Sequence, residues 1–409
     1  MGAERWAAPG SELLGAGAVS APVPPETDVA VIGGGIIGCA LAYYLAGEGL
    51  EVTLLERGEL NREASGTNAG SFHLQIAIHQ LTSFDVYREA ERLLEEERLL
   101  VEAAALWDGL ESELGGSLEM HVTGGLMVAE TPEQLRLLVD KQAIEQRAGL
   151  ETHVLAGAEL RDFAPYLAED LAGASFCPRE GHANPLYAAP LFALRAAERG
   201  AAIRTGAAVL AIDRGPDGSF TLQTSRGSVR AFRVINAAGA WAADVAHLLG
   251  LPLATRREGL HVNVTEPREH FLGPLVQHIG RRLTLKQSLN DTFIIGGGWP
   301  ADPRPAPARY ATLWSSAAGN AAVALRVIPR LADVRIVRTW SGVMAFTDDF
   351  TPIVGESRGV PGYFTCVATT GFTLGPLMAR LLAEHMTAGA PLPPEFSVDR
   401  GAPAQPTRS

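Results

Sequence analysis

The chain has 409 residues, room for two or three domains at roughly 100–200 residues each, and its 47% hydrophobic and 20% charged composition supplies sizeable cores and excludes general disorder. A net charge of −12, from 34 basic and 46 acidic residues with no basic run longer than a dipeptide, argues against nucleic acid as a partner. Its cysteines, Cys39, Cys177 and Cys366, have neither CxxC nor Cys/His metal spacing and read as small core residues of a protein from a reducing compartment.

Residues 1–26 are rich in Gly, Ala and Pro and lack the basic and continuously apolar regions of a signal peptide. They read as a flexible leader to a cytoplasmic protein. The first stretch that looks built is DVAVIGGGIIGCALAYYLAGEGL, from Asp28. It is apolar enough for a membrane span, yet consecutive glycines interrupt it and Glu48 and Glu51 follow. A strand, a tight turn and a helix fit better. Gly33 permits the turn, Gly35 lets backbone N–H groups approach a pyrophosphate, and Gly38 lets helix and strand pack closely. The helix, expected over 36–46, points its positive end at the phosphates. A second strand then ends at Glu56, placed to accept hydrogen bonds from ribose hydroxyls. This order predicts an adenine-dinucleotide site and no membrane span.

Beyond Arg57, the polar loop 61–73 offers Ser65, Thr67 and Asn68 as hydrogen bonders and flexible backbone at Gly66 and Gly70. Residues 84–112 predict a long amphipathic helix whose charges form a solvated face. The runs 220–224 and 232–236, set off by PDGS and SRGS, predict hairpin strands, and 260–265 and 292–296 predict further strands. The stretch from Val367 reads as strand, glycine turn and a helix over about 374–386.

Glu56-Arg57, ASGTNAG at 64–70, NAAGAW at 236–241 and GFTLGP at 371–376 together resemble the D-amino-acid oxidase superfamily of FAD enzymes, over about residues 27–388. REGHANPL at 179–186 looks most like the flavoprotein subunits of opine dehydrogenases and hydrogen cyanide synthase. The resemblance implies an α/β protein: a Rossmann-type FAD-binding domain (27–85, 152–253 and 336–390) interleaved with an α+β substrate domain on an antiparallel sheet (86–151 and 254–335), then a flexible tail, 391–409. It implies extended FAD on Gly33, Gly35, Gly38, Glu56, Arg57, Ser65, Thr67, Asn68, Ala69 and Gly70, with Val209 near the adenine, Ala238 and Gly239 near the cofactor, and Gly371, Phe372, Thr373 and Leu374 facing the flavin ring.

The activity implied is hydride transfer from the carbon beside an amine nitrogen to flavin, acting on a small amine or amino acid of the D-amino-acid, N-alkyl or opine class. No metal is implied. Two arginines that grip carboxylate in glycine oxidases are replaced here, by spacing, with Met344 and Thr369. Carboxylate recognition then falls to Arg256, Arg257 or Arg281. The lysine that faces flavin in sarcosine oxidases is replaced by Ile294, with Lys286 too early in the chain, and no Cys stands near Gly342 to tether FAD. These departures point to noncovalent FAD and a dehydrogenase, possible partner to an electron-accepting subunit. A self-sufficient oxidase and a flavin-binding subunit without turnover remain as alternatives. His73 is the candidate active-site histidine; His182 and His261 are candidates near the substrate, His261 on a strand where it faces either pocket or solvent.

Overall fold

Val29 to Ile32 are all buried within the strand Glu26–Ile32, because both faces of that strand are covered. The computed structural model describes residues 21–77, 90–303 and 310–400. Glu26–Ile32 is central to a first sheet, with parallel neighbours Gly227–Asn236 and Val52–Leu55. Tyr363–Val367 and Ala202–Arg204 continue it in parallel on either side. Ile353–Glu356 adds an antiparallel edge, and the expected hairpin forms as Phe220–Thr224 against Gly227–Asn236, with Val209–Arg214 beyond.

The helix Ile36–Gly47 is buried along its whole first part, from Ile36 to Tyr43. It packs against the helices Pro185–Glu198 and Gly371–Ala388, and one core joins all three to the sheet. A helix covered all round carries no polar face, which is why its sequence resembles a membrane span. Among the described residues no helix is long and apolar enough to cross a membrane. The glycine turn before it has a steric origin. Gly33 has φ +117°, and a Cβ at Gly38 would lie 1.9 Å from the Gly33 carbonyl oxygen.

A second sheet runs in the order Ile336–Phe346, Arg256–Pro267, Thr292–Gly296, Thr284–Gln287, Leu275–His278, Gly125–Ala129, Gly173–Cys177, His153–Leu155. It is antiparallel except where Leu275–His278 meets Gly125–Ala129. The helix Trp314–Val327 covers one face, burying Leu126, Val276, Leu285, Phe293 and Ile295. By hydrogen bonding, His153–Leu155, Gly173–Cys177 and Ile336–Phe346 belong to this sheet, although they fall within the sequence segments expected to form the cofactor domain.

The long helix is observed as Ala90–Leu114; residues 84–89 lie outside the described residues. Its charges are not all solvated. Glu97 is 1% exposed beside Lys141 and Glu145, and burial pushes its carboxyl well above the usual range. All three cysteines are free and buried. At the chain ends, Arg226 donates to the Ala21 carbonyl at 2.9 Å, and Phe396 is fully buried. The described parts of leader and tail are therefore held by the fold, while residues 1–20 and 401–409 lie outside the described residues.

Candidate functional site

A cavity of about 1080 Å³ has walls from both sheets. One end is formed by residues 33–37, Glu56, Arg57, most of the 63–71 loop, 207–209 and 237–241; the other by 369–373, Val262, Thr284 and Met344.

At the first end, Glu56 accepts from the backbone N–H groups of Gly34 and Gly58, each at 2.7 Å. Burial pushes its carboxyl pKa up, and those two donors oppose the shift. The start of the Ile36–Gly47 helix meets the polar loop directly, because Ser65 Oγ accepts from Ile36 N at 3.0 Å. The loop in turn is fixed to the second sheet. Trp340 Nε1 donates to the Thr67 carbonyl at 2.8 Å, and a Cβ at Gly342 would lie 2.1 Å from Thr67 Oγ1. Asn68 braces it internally, donating to Ser65 O at 2.7 Å and accepting from Gly70 N at 2.6 Å. Beside Glu56, the Arg57 guanidinium lies 3.7 Å over the Trp241 ring and pairs with Glu63 at 2.9 Å. Nothing local in the sequence marks Trp241 as that partner.

At the other end the helix Gly371–Ala388 begins on the cavity wall, three residues earlier than the sequence suggests. Phe372 stacks on Phe72 at 5.8 Å, and Trp107 Nε1 donates to the Thr373 carbonyl at 2.9 Å. The free N–H groups of the first turn therefore stand at the cavity. Of the expected cofactor set, Gly38 and Leu374 do not line the wall: Gly38 packs against the turn and Leu374 lies in the core. The others do line it.

On the substrate side, strand register decides which residues face inward. Leu260 pairs with Gly342 and Val262 with Trp340, and Gly342 abuts the loop, so this face looks into the cavity. His261 therefore carries its ring on the opposite face, a correction to its assignment as a substrate contact. It borders the cavity but is 1% exposed, and its Nε2 meets Asn263 Oδ1 at 2.9 Å. Asn263 Nδ2 donates to Ala317 O and Asn320 Oδ1 of the covering helix, which fixes Oδ1 as the acceptor and Nε2 as the protonated nitrogen. Burial pushes the His261 pKa down.

Arg257 does not line the cavity either; it makes two hydrogen bonds to Asp244, at 2.9 and 3.3 Å. Arg256 and Arg281 reach the wall already paired, Arg256 with Glu258 and Asp348 and Arg281 with Glu130. Met344 and Thr369 are on the wall, where Thr369 Oγ1 accepts from Thr347 N at 3.2 Å.

His73 lines the cavity, and the segment after it is held by Glu180, which accepts from Leu74 N, Gln75 N, Gln75 Nε2 and Gln277 Nε2. Glu180 escapes a sequence reading because its partners are about 100 residues away on either side. His182 is not on the wall, and burial pushes its pKa down to about 3. Among the described residues no group of three or more His, Cys, Asp or Glu is set to hold a metal ion.

The donor set suits a long anionic cofactor. Backbone N–H groups at the glycine turn and two helix starts favour negative charge, the half-buried Glu56 carboxylate suits a diol, and side chains at Gly33 and Gly342 would clash with the walls.

The family model described as FAD dependent oxidoreductase matches residues 28–385. The chain is 27% identical to mitochondrial dimethylglycine dehydrogenase of Rattus norvegicus over 93% of its own length and 45% of the relative's. It is 28% identical to mitochondrial sarcosine dehydrogenase of Homo sapiens over 91% of its own length and 41% of the relative's. The chain thus spans less than half of these dehydrogenases. An opine oxidase subunit of Rhizobium meliloti is 26% identical, over 89% of this chain and 94% of that one. Among solved structures, glycine oxidase from Geobacillus kaustophilus superposes with a TM-score of 0.80 at 24% identity, over 92% of this chain and 99% of that one, and so shares the fold.

Proposed function

The chain belongs to the FAD-dependent oxidoreductase family, and on that premise we propose that it oxidises the C–N bond of an amine or amino acid to an imine. The observation that carries this reading is the continuity of the cavity, from the glycine turn to an apolar floor of Leu260, Val262 and Met344. Relatives named as dimethylglycine and sarcosine dehydrogenases and as an opine oxidase subunit support the same substrate class.

In this reading FAD is held noncovalently. The turn at Gly33 and Gly35 with the helix start at Ile36 would take the pyrophosphate, and Glu56 would take the ribose hydroxyls. Residues 65–70, Ala238 and Gly239 would line the chain of the cofactor, and 371–373 would border its flavin end. Bound there, the group would supply a two-electron acceptor for hydride from the carbon beside nitrogen, and the imine product would hydrolyse in water. The apolar floor acts on the amine itself: burial disfavours the ammonium and keeps the nitrogen lone pair available to form the C=N bond. The helix start at Gly371 stabilises negative charge at its end of the cavity. His73, on the wall and held in place by the Glu180 bonds to its neighbours, is the residue we assign beside the substrate.

The first sheet with its helices forms the cofactor domain in this reading, and the second sheet the substrate domain, with 153–177 and 336–346 joined to the latter. The likeness to proteins named as opine oxidase subunits supports an electron-accepting partner, and the three buried thiols suit a reducing cytoplasm. The test supplies the FAD-loaded chain with an electron-accepting dye and sarcosine, dimethylglycine, D-amino acids, proline or opines in turn. Mass spectrometry should find the carbonyl and amine products from at least one; a flavin-loaded chain that converts none contradicts the proposal.

A further inference from the structure

The arginines that the second sheet and its loops bring to or near the cavity, Arg256, Arg257, Arg281 and Arg282, differ in one respect. Arg256, Arg257 and Arg281 are each paired with carboxylates, whereas the side chain of Arg282, also on the wall, has no hydrogen bond or ion pair among the described residues. Four residues further along the chain is Lys286, 4% exposed, whose side chain is likewise without such a partner among them. Its strand, Thr284–Gln287, lies between Leu275–His278 and Thr292–Gly296. Thr284, Gln277 and Gly296 line the cavity, and the register pairs Thr284 with Gln277 and Gly296, and Lys286 with Ile294. Residues two apart on a strand share a face, so Lys286 projects on the same face as Thr284, buried just behind the lining and not itself part of the wall.

We infer that this face carries an anion subsite, in which the Lys286 ammonium, behind Thr284 and aided by the exposed Arg282 of the lining, holds the carboxylate of an amino-acid substrate. The inference rests on the amine-oxidation reading and deepens it: the substrate carries a carboxylate that balances a buried cation. A buried ammonium without a counter-ion is costly, and an anion bound to it offsets that cost.

The surrounding groups leave the ammonium unneutralised. Thr292–Gly296 has no titratable side chain, and His278, the titratable residue of Leu275–His278, follows Gln277 and so takes the opposite face, near Glu130. His182, which feels the charge of Lys286, is kept neutral by burial, with His121 beyond it, and Glu180 is engaged by Leu74, Gln75 and Gln277. Burial pushes the Lys286 pKa down to about 7. Below that value the free protein presents a cation; above it, binding an anion first requires proton uptake. Affinity for a carboxylate therefore falls as pH rises through about 7.

The experiment is calorimetric titration of the FAD-loaded chain with propionate and with its neutral analogue propionamide. Propionate should bind and propionamide should not. The affinity for propionate should drop about tenfold between pH 6 and pH 8, the change in the protonated fraction of such a lysine. Lys286→Met should weaken propionate at least tenfold at pH 6 and abolish the pH dependence, at unchanged flavin content and melting temperature. Arg282→Met should weaken it several-fold. Unchanged binding in Lys286→Met overturns the proposal and leaves the lysine as a proton acceptor. A flavin-loaded wild-type chain that ignores propionate, or binds it equally at both pH values, overturns it too while sparing the FAD assignment. A colourless chain removes both.

Discussion

Gly33 has φ +117°, and a methyl group there would stand 2.4 Å from the Ala237 carbonyl oxygen. Gly49 also has positive φ, +81°, but has nothing within 4 Å. The pair separates backbone strain from collision with the site. Gly49→Ala should cost about 1 kcal/mol, at the low end of the range for a strained residue, and keep its flavin. Gly33→Ala adds a clash with backbone that cannot yield, and should melt several degrees lower and purify largely without flavin. The ratio of visible to ultraviolet absorbance and a thermal melt measure both; equal flavin content in the two variants would contradict the role given to the turn. At this scale the sequence was informative where chemistry depends on neighbours in the chain. Gly33, Gly35 and Glu56 are legible because turn, helix and acid follow in order. Arg256, Arg257 and Arg281 are not separable in the sequence, since Asp348, Asp244 and Glu130, which pair with them, are 92, 13 and 151 residues away, and the nearby Glu258 of Arg256 is not distinguished from any other strand charge. His261 was undecidable because alternation along a strand says which residues share a face, not which face is inside.

The helix Gly371–Ala388 is positioned from outside itself. Trp107 contributes the hydrogen bond to Thr373 from a helix 266 residues earlier, and Phe72 and Phe372 stack beneath it. Trp107→Phe keeps the aromatic packing and removes the N–H, which should cost about 0.5–1.5 kcal/mol. If the pin also sets the helix start against the flavin, the variant should retain FAD and show a shifted flavin reduction potential. A lower melting point with an unchanged potential would reduce Trp107 to packing. The helix itself was legible, but its first turn was not: the glycine at its start reads as a loop residue until tertiary contacts extend the helix through it. The same limit explains Gly173–Cys177 and His153–Leu155, short strands whose membership of the second sheet is decided by pairing, the first with Gly125–Ala129 and the second with Gly173–Cys177.

Across the described residues, the first sheet, parallel at its centre, and its buried helices hold one end of the cavity and the second sheet roofs the other, joined where the 64–70 loop meets Trp340 and Gly342. Such a division lets one part fix a cofactor while the other sets which substrate reaches it. The motifs carried the first part because cofactor binding uses backbone geometry that few sequences can supply. The second part stayed obscure because its face is built from Leu, Val, Met and Thr side chains, which look like any strand. The most direct measurement is the visible spectrum of the flavin-loaded chain, mixed without oxygen with amino acids, N-alkyl amino acids and opines in turn. Oxidation at carbon beside nitrogen predicts bleaching by at least one of these compounds. A flavin spectrum that none of them changes would contradict it.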